Sequence, residues 1–144
     1  MASVVYLFRA PKRRLPMEAT QSIEAVAGHG FSGCAHARKN SPRQVLLVDK
    51  ETLDAMQLDA GVIRENITTE GLNVNGLAMG EQLRIGPVLL QVSAVCTPCD
   101  QLEKVRPGLR REMYGRRGML CRVVEGGVIR VGDAIRRVAS VASA

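Results

Sequence analysis

The sequence predicts a mostly β fold: a closed or strongly curved β-barrel of about seven or eight short strands with two or three short peripheral helices. Three observations carry this expectation. Apolar residues fall in short runs punctuated by Gly and Pro, several runs alternate with period two, and no βαβ alternation or internal repeat is seen. A barrel is the natural closure for such strands because it leaves no exposed edge.

Ser3 to Phe8 is apolar and β-branched at Val4 and Val5, which suits a first strand, and Pro11-Lys12-Arg13-Arg14-Leu15-Pro16 after it reads as a basic turn. Met17 to Ala27 fits a strand better than a weak helix. Gly28, Gly30 and Gly33 punctuate a loop that carries His29, Cys34 and His36. Arg43 to Val48 is a buried-strand pattern, followed by Asp49 as the cap of a helix that contains Leu53 and Met56 and gives out near Gly61. Glu65 to Gly71 reads as a polar loop. Leu83 and Ile85, then Val88, Leu90 and Val92, line one face of a hairpin turned at Gly86-Pro87.

Asp100 and Glu103 suggest a capped helix ending at Pro107-Gly108, with a second short helix over Leu109 to Tyr114. Met119 to Glu125 and Val128 to Val138 read as strands paired through a Gly126-Gly127 turn, with a bulge or turn at Gly132-Asp133. One domain over 1–144 suffices, with its core over about 20–138 and residues 139–144 as a flexible tail.

The chain holds two Tyr, two Phe and no Trp, so its core is aliphatic, and recognition of single-stranded nucleic acid by stacking is disfavoured. Twenty Lys and Arg against fourteen Asp and Glu give a net charge of +6, attractive to an anionic small molecule or, on the alternative reading, to nucleic acid. Arg9, Lys12, Arg13 and Arg14 break any signal-peptide core, and no apolar run is long enough to span a membrane, so a cytoplasmic protein is expected. In a reducing compartment the four cysteines are better read as free thiols or ligands than as disulfides.

The ordered motifs Gly33-x-Ala35-His36, Arg43-Gln44-Val45, Glu65-Asn66-Ile67-Thr68-Thr69-Glu70-Gly71, Gly80-x-x-Leu83-x-Ile85-Gly86, Pro98-Cys99, Gly118 and Gly132-Asp133 resemble the small stand-alone MOSC domains, named for the C-terminal domain of molybdenum cofactor sulfurases. The resemblance implies a barrel-like fold that binds molybdenum cofactor (molybdopterin) or carries sulfur for metal–sulfur cofactor assembly. It makes Cys99 the metal ligand or sulfur carrier and assigns Asn66, Thr68 and Thr69 to the cofactor. It also implies either sulfur transfer or a molybdenum-dependent reductase step, with a pyridoxal-phosphate-dependent cysteine desulfurase or a redox protein as partner. Small members often show Gly-Asp-x-His where this chain has Gly33-Cys34-Ala35-His36.

From the residues themselves, Cys99 precedes a presumed helix cap and lies among arginines, a setting that favours the nucleophilic and metal-binding thiolate, although Asp100 opposes it. Asn66, Thr68 and Thr69 supply an amide and two hydroxyls, and would meet Cys99 through the β structure between them. His36 is a ligand candidate or a structural histidine. Arg106, Arg110, Arg111, Arg116, Arg117 and Arg122 form a cluster from which Arg117, with Arg43 second, is selected for phosphate binding. Cys96 with Cys99 could begin a zinc site completed by Cys34 and His29 or His36, the basis of a zinc-stabilised interaction module as a further alternative. Cys96 and Cys121 are otherwise expected in the core.

Overall fold

The computed structural model describes residues 1–138; the tail expected to fray lies outside them. The strands are β1 (Ser3–Arg9), β2 (Glu18–Thr20), β3 (Ser22–Val26), β4 (Gly30–Phe31), β5 (Val45–Asp49), β6 (Ile67–Glu70), β7 (Gln82–Ile85), β8 (Val88–Val95), β9 (Met119–Glu125), β10 (Gly127–Arg130) and β11 (Ile135–Val138). Two short helices, α1 (Lys50–Ala55) and α2 (Leu109–Glu112), and 3-10 turns at Val74–Gly76 and Asp100–Lys104 complete the described residues.

Eight strands form one sheet in the order β11-β7-β8-β9-β5-β6-β1-β2, and β10-β3-β4 form a second. The expected closed barrel is not found as a complete ring of paired strands. Instead, Val4 N–H donates to the Asp133 carbonyl, Gly132 N–H to that of Val4 and Ile135 N–H to that of Ala2, with one isolated bridge between Ser3 and Ala134. These bonds bring β1 against the turn that leads into β11.

Two further expectations change. The Gly126-Gly127 segment does not turn β9 into a hairpin with β10; β10 pairs with β3 instead, so the chain switches sheets there. A βαβ unit is also present, because β5 and β6 run parallel and the connection through α1 covers residues 50–66. Parallel neighbours need a crossover of about a dozen residues or more, which this segment supplies. The segment read as a polar loop, Glu65 to Gly71, is mostly this second parallel strand, and its Thr68 and Thr69 are completely buried.

Two apolar cores flank the parallel pair, and side-chain alternation divides the residues between them. Val45 and Leu47 of β5 enter the larger core between the sheets, while Leu46 and Val48 enter a smaller one under the helices with Leu53, Met56, Leu102, Leu109 and Met113. Burial on both faces explains why β5 reads as a continuous apolar run rather than an alternating one. The register of β8 against β9 shifts between Val92 and Ala94, so Val92 lies opposite Cys121 and Ala94 opposite Leu120. Because strand side chains alternate, this bulge moves Ala94 from the first core's face to the second. The strand therefore ends at Val95 with Cys96 beneath the helices and the Pro98-Cys99 loop beyond it.

Asp49 caps α1 as expected: its carboxylate accepts from the Thr52 N–H at 3.1 Å. The Asp100 and Glu103 capping arrangement does not form. Cys99 occupies the cap position of a five-residue 3-10 turn, Asp100 pairs with Arg110, and Glu103 accepts from the N–H groups of Gly108 and Arg110 at the start of α2. No described helix is long and apolar enough to cross a membrane.

Candidate functional site: an arginine-lined cavity with one accessible thiol

The site begins with Asn66, the residue immediately before β6. Its backbone N–H donates to the Leu46 carbonyl and its own carbonyl accepts from Phe8, which ties β1 to β5. The side chain repeats the tie. Oδ1 accepts from the Leu46 N–H at 3.0 Å, and Nδ2 donates to the Phe8 carbonyl at 3.2 Å and to Cys34 Sγ at 3.4 Å. Those partners fix which end of the amide is oxygen, and that oxygen also meets His36 Nδ1 at 3.1 Å. Since Oδ1 can only accept, Nδ1 of His36 carries the proton.

Cys34 is the buried anion-like partner in this group. Its sulfur accepts from the Ala10 N–H at 3.3 Å as well as from Asn66. Burial pushes the Cys34 thiol up, but hydrogen bonds from the His36 side chain and from the Ala10 and His36 backbones outweigh it and bring it down to about 7. His36 moves the opposite way: hydrogen bonding to Cys34 raises it, burial opposes, and Asn66 raises it further. The thiol thus sits in a hydrogen-bond set that suits a negative charge.

His36 and Asn66 form one side of a cavity of about 380 Å³. Cys96, Cys99, Gln101, Leu120, Gln44 and Leu46 also line it. Of the four cysteines, all free, Cys99 is the exposed one. Cys96 is buried, which raises its thiol above the ordinary value, and Cys121 is fully buried in the larger core and pushed up to about 12.

Six arginines, Arg13, Arg14, Arg38, Arg43, Arg64 and Arg117, line this cavity, and no Asp or Glu does. Arg117 is the inner one, only 8 % exposed. Its Nη2 donates to the Ile63 carbonyl at 2.8 Å, while Nε and Nη1 are buried without any hydrogen-bond partner. Buried donors are nearly always satisfied, so these two guanidinium nitrogens leave part of a permanent charge unpaired, with the buried Glu65 carboxylate near enough to feel it. Gly118, φ +103°, holds this arginine in place: a Cβ there would stand 2.3 Å from the Leu47 carbonyl oxygen, so the chain can pass β5 only without a side chain.

The structure therefore brings His36, Arg43, Asn66, Cys99 and Arg117 to one cavity. It does not bring Thr68 or Thr69 there. Thr68 Oγ1 donates to Glu65 Oε2 at 3.0 Å, and Thr69 Oγ1 is buried without a partner. From the arginine cluster read in the sequence, only Arg117 reaches the cavity. Arg106 pairs with Glu112, Arg110 with Asp100, and Arg122 bonds to Gln91. His29 is absent from the cavity wall, and among the described residues no group of three or more His, Cys, Asp or Glu is arranged to hold a metal ion. Sequence reasoning missed Arg13, Arg14, Arg38 and Arg64 as site residues. Arg13 and Arg14 carried a signal, since three cations stand between two prolines with no acid among them; the other two carried none.

A MOSC domain model matches residues 36–136, and the chain belongs to this family. Solved structures agree on the fold. The YuaD protein from Bacillus subtilis superposes with TM-score 0.79 at 18 % identity, over 94 % of each chain. YiiM from Geobacillus stearothermophilus gives 0.80 at 18 % identity over 99 % of this chain and 78 % of its own. YiiM from Escherichia coli gives 0.70 at 22 % over 94 % and 70 %. No curated protein sequence matches the chain.

Proposed function

We propose that this chain binds molybdenum cofactor in the arginine-lined cavity, with Cys99 as the thiol that meets the metal. The observation that carries the reading is that the exposed thiol and the buried, half-unpartnered guanidinium of Arg117 open onto the same cavity. The donor set fits such a group. Arg117 brings to the cavity lining a guanidinium that forms no salt bridge, Gln101 and Gln44 add polar contacts, and the volume lies within the usual range for a small-molecule site. One thiol can complete the coordination of a soft metal that arrives already ligated. The cofactor, when bound, supplies a redox-active molybdenum; the protein holds its phosphate, presents one sulfur and shields one side with the His36–Asn66 wall.

Sulfur carriage by Cys99 is the second reading, favoured by the exposure of that thiol to an incoming protein donor. In that case the Cys99 thiolate attacks the outer sulfur of a persulfide carried by a desulfurase's own cysteine, so that the S–S bond of the donor breaks, one forms on Cys99, and the donor leaves as its thiolate. A nucleic-acid-binding role is less well supported, because these six guanidinium groups converge on a cavity of about 380 Å³ rather than along a groove that tracks a phosphate backbone.

The test is expression in cells that make molybdenum cofactor, followed by assay of molybdenum and pterin that co-purify with the wild type, Cys99→Ser and Arg117→Met. The cofactor reading expects both in the wild type, loss of molybdenum in Cys99→Ser and loss of both in Arg117→Met, with melting curves confirming folded variants. No pterin in the wild type, or equal content in all three, rejects it. Sulfane sulfur on Cys99 of the wild type without pterin supports the carrier role instead.

A further inference from the structure

We infer that the cavity takes a ligand with two linked anionic groups at different depths, a diphosphate ester, with Arg117 holding the inner group and the Arg13-Arg14 turn the outer one. This rests on the cofactor-site reading of the same cavity and narrows it to a nucleotide form of the cofactor, because molybdopterin by itself carries a single phosphate.

The first support is charge. Six permanently charged side chains surround one cavity with no carboxylate among its lining, and none of the six takes part in a salt bridge among the described residues. Like charges gathered in this way repel unless an anion joins them, and a phosphate monoester brings only about −1.5 to −2 at neutral pH.

The second support is depth. Arg117 is buried, with Nε and Nη1 unpartnered, whereas Arg13, Arg14, Arg38 and Arg43 are exposed. A single phosphate seated on Arg117 leaves the outer guanidinium groups without a partner; a second phosphate linked to the first extends toward them.

The third support is how the outer wall is built. Arg14 and Arg64 both adopt positive φ, 67° in each case, a conformation that costs a non-glycine residue energy and is concentrated at functional sites. The Arg64 guanidinium donates to the Leu15 carbonyl, which clamps the 11–16 turn over the cavity from a segment 49 residues away.

The test is calorimetric titration of the full chain with orthophosphate, pyrophosphate and ADP at low and moderate salt, on the wild type, on Arg117→Met, and on an Arg13→Ser, Arg14→Gly double variant. Glycine suits the positive φ at position 14, so the double variant keeps its fold. Pyrophosphate and ADP should bind the wild type about tenfold or more tightly than orthophosphate, a difference that reflects one additional charged contact. The double variant should lose that advantage while orthophosphate binding stays the same, and Arg117→Met should weaken all three. Equal affinity for mono- and diphosphate, no binding of either, or an advantage that survives in the double variant overturns the proposal. Tighter binding of ADP than of pyrophosphate assigns the ligand to a nucleotide; equal binding assigns it to the diphosphate alone. The cofactor reading is scored separately by co-purified pterin: pterin without a diphosphate preference sinks only this inference, and a diphosphate preference without pterin sinks only the cofactor.

Discussion

Asn66 Oδ1 accepts from His36 Nδ1 at 3.1 Å, and through this contact a fully buried amide sets the tautomer of a histidine on the cavity wall. The same side chain bonds to Leu46, Phe8 and Cys34, so it joins β1, β5 and the loop before β5. Replacing Asn66 with Ala would strand the buried Leu46 N–H and Phe8 carbonyl. Each orphaned group costs about 1–3 kcal/mol, so Asn66→Ala should destabilise by roughly 2–6 kcal/mol in urea unfolding. Asn66→Asp should be comparably damaging, since it places an acceptor opposite the Phe8 carbonyl. A loss under 1 kcal/mol in both would show that the amide is not structural.

Much of this was legible in the sequence. The β-rich class, the Asp49 cap and the β7–β8 hairpin followed from local pattern, because period two and capping chemistry are set by neighbours in the chain. The parallel β5–β6 pair was not, since Glu65 to Gly71 has the polar composition of a loop, and only the tertiary partners of Asn66 and Thr68 make it a buried strand. The switch of β10 to the second sheet was likewise hidden, because two glycines signal a turn without naming the strand that receives it. Cys99 and Asn66 were singled out through ordered motifs and Arg117 from the arginine cluster, and the three line one cavity. The Arg13-Arg14 turn was read only as a turn because its clamp, Arg64, lies far along the chain.

Cys34 Sγ accepts from the Ala10 N–H and from Asn66 Nδ2, as a carboxylate at this position would. Cys34→Asp should therefore retain the fold and the His36 interaction, while Cys34→Val should destabilise by about 1–3 kcal/mol through unsatisfied N–H groups of Ala10 and Asn66. Melting temperatures of the two variants check this. Equal loss in both would show that shape, rather than charge, matters at position 34.

The same thiol gives a pH signature. Its folded value is depressed to about 7, so its contribution to stability is full above the ordinary thiol range and declines as pH falls toward about 7. Thiolate absorbance near 240 nm in a Cys99→Ser background should rise with a midpoint near 7, and His36→Phe should move that midpoint up. A midpoint unaffected by His36→Phe would separate the two residues.

Glu65 is buried beside Thr68, with Oε2 bonded to the Gly61 N–H and Oε1 unpartnered, and burial raises its carboxyl above the ordinary value despite those hydrogen bonds. A raised value means the group favours the fold while protonated, and this benefit is lost as pH climbs through the folded value. Glu65→Gln keeps an acceptor for Gly61 and Thr68 without a charge to bury, so it should flatten the fall in stability on the alkaline side of the carboxylate range. Thermal melts from pH 4 to pH 8 test it; a steeper fall in the variant contradicts the assignment.

Gly118→Ala should cost several kcal/mol and abolish anion binding together, because its Cβ would meet the Leu47 carbonyl beside Arg117. Gly132→Ala, also at positive φ but with open space around it, is the control and should cost only about 1–2 kcal/mol of backbone strain. Similar losses at the two positions would remove the steric argument.

The most direct test of the shared cavity is the alkylation rate of Cys99 with iodoacetamide, followed by peptide mass spectrometry, with and without saturating pyrophosphate. An anion held by Arg117 in the cavity that Cys99 lines should slow labelling of that thiol several-fold, and Arg117→Met should abolish the protection. A labelling rate that pyrophosphate leaves unchanged, at concentrations where calorimetry shows it bound, would place the anion and the thiol in different sites and contradict the account.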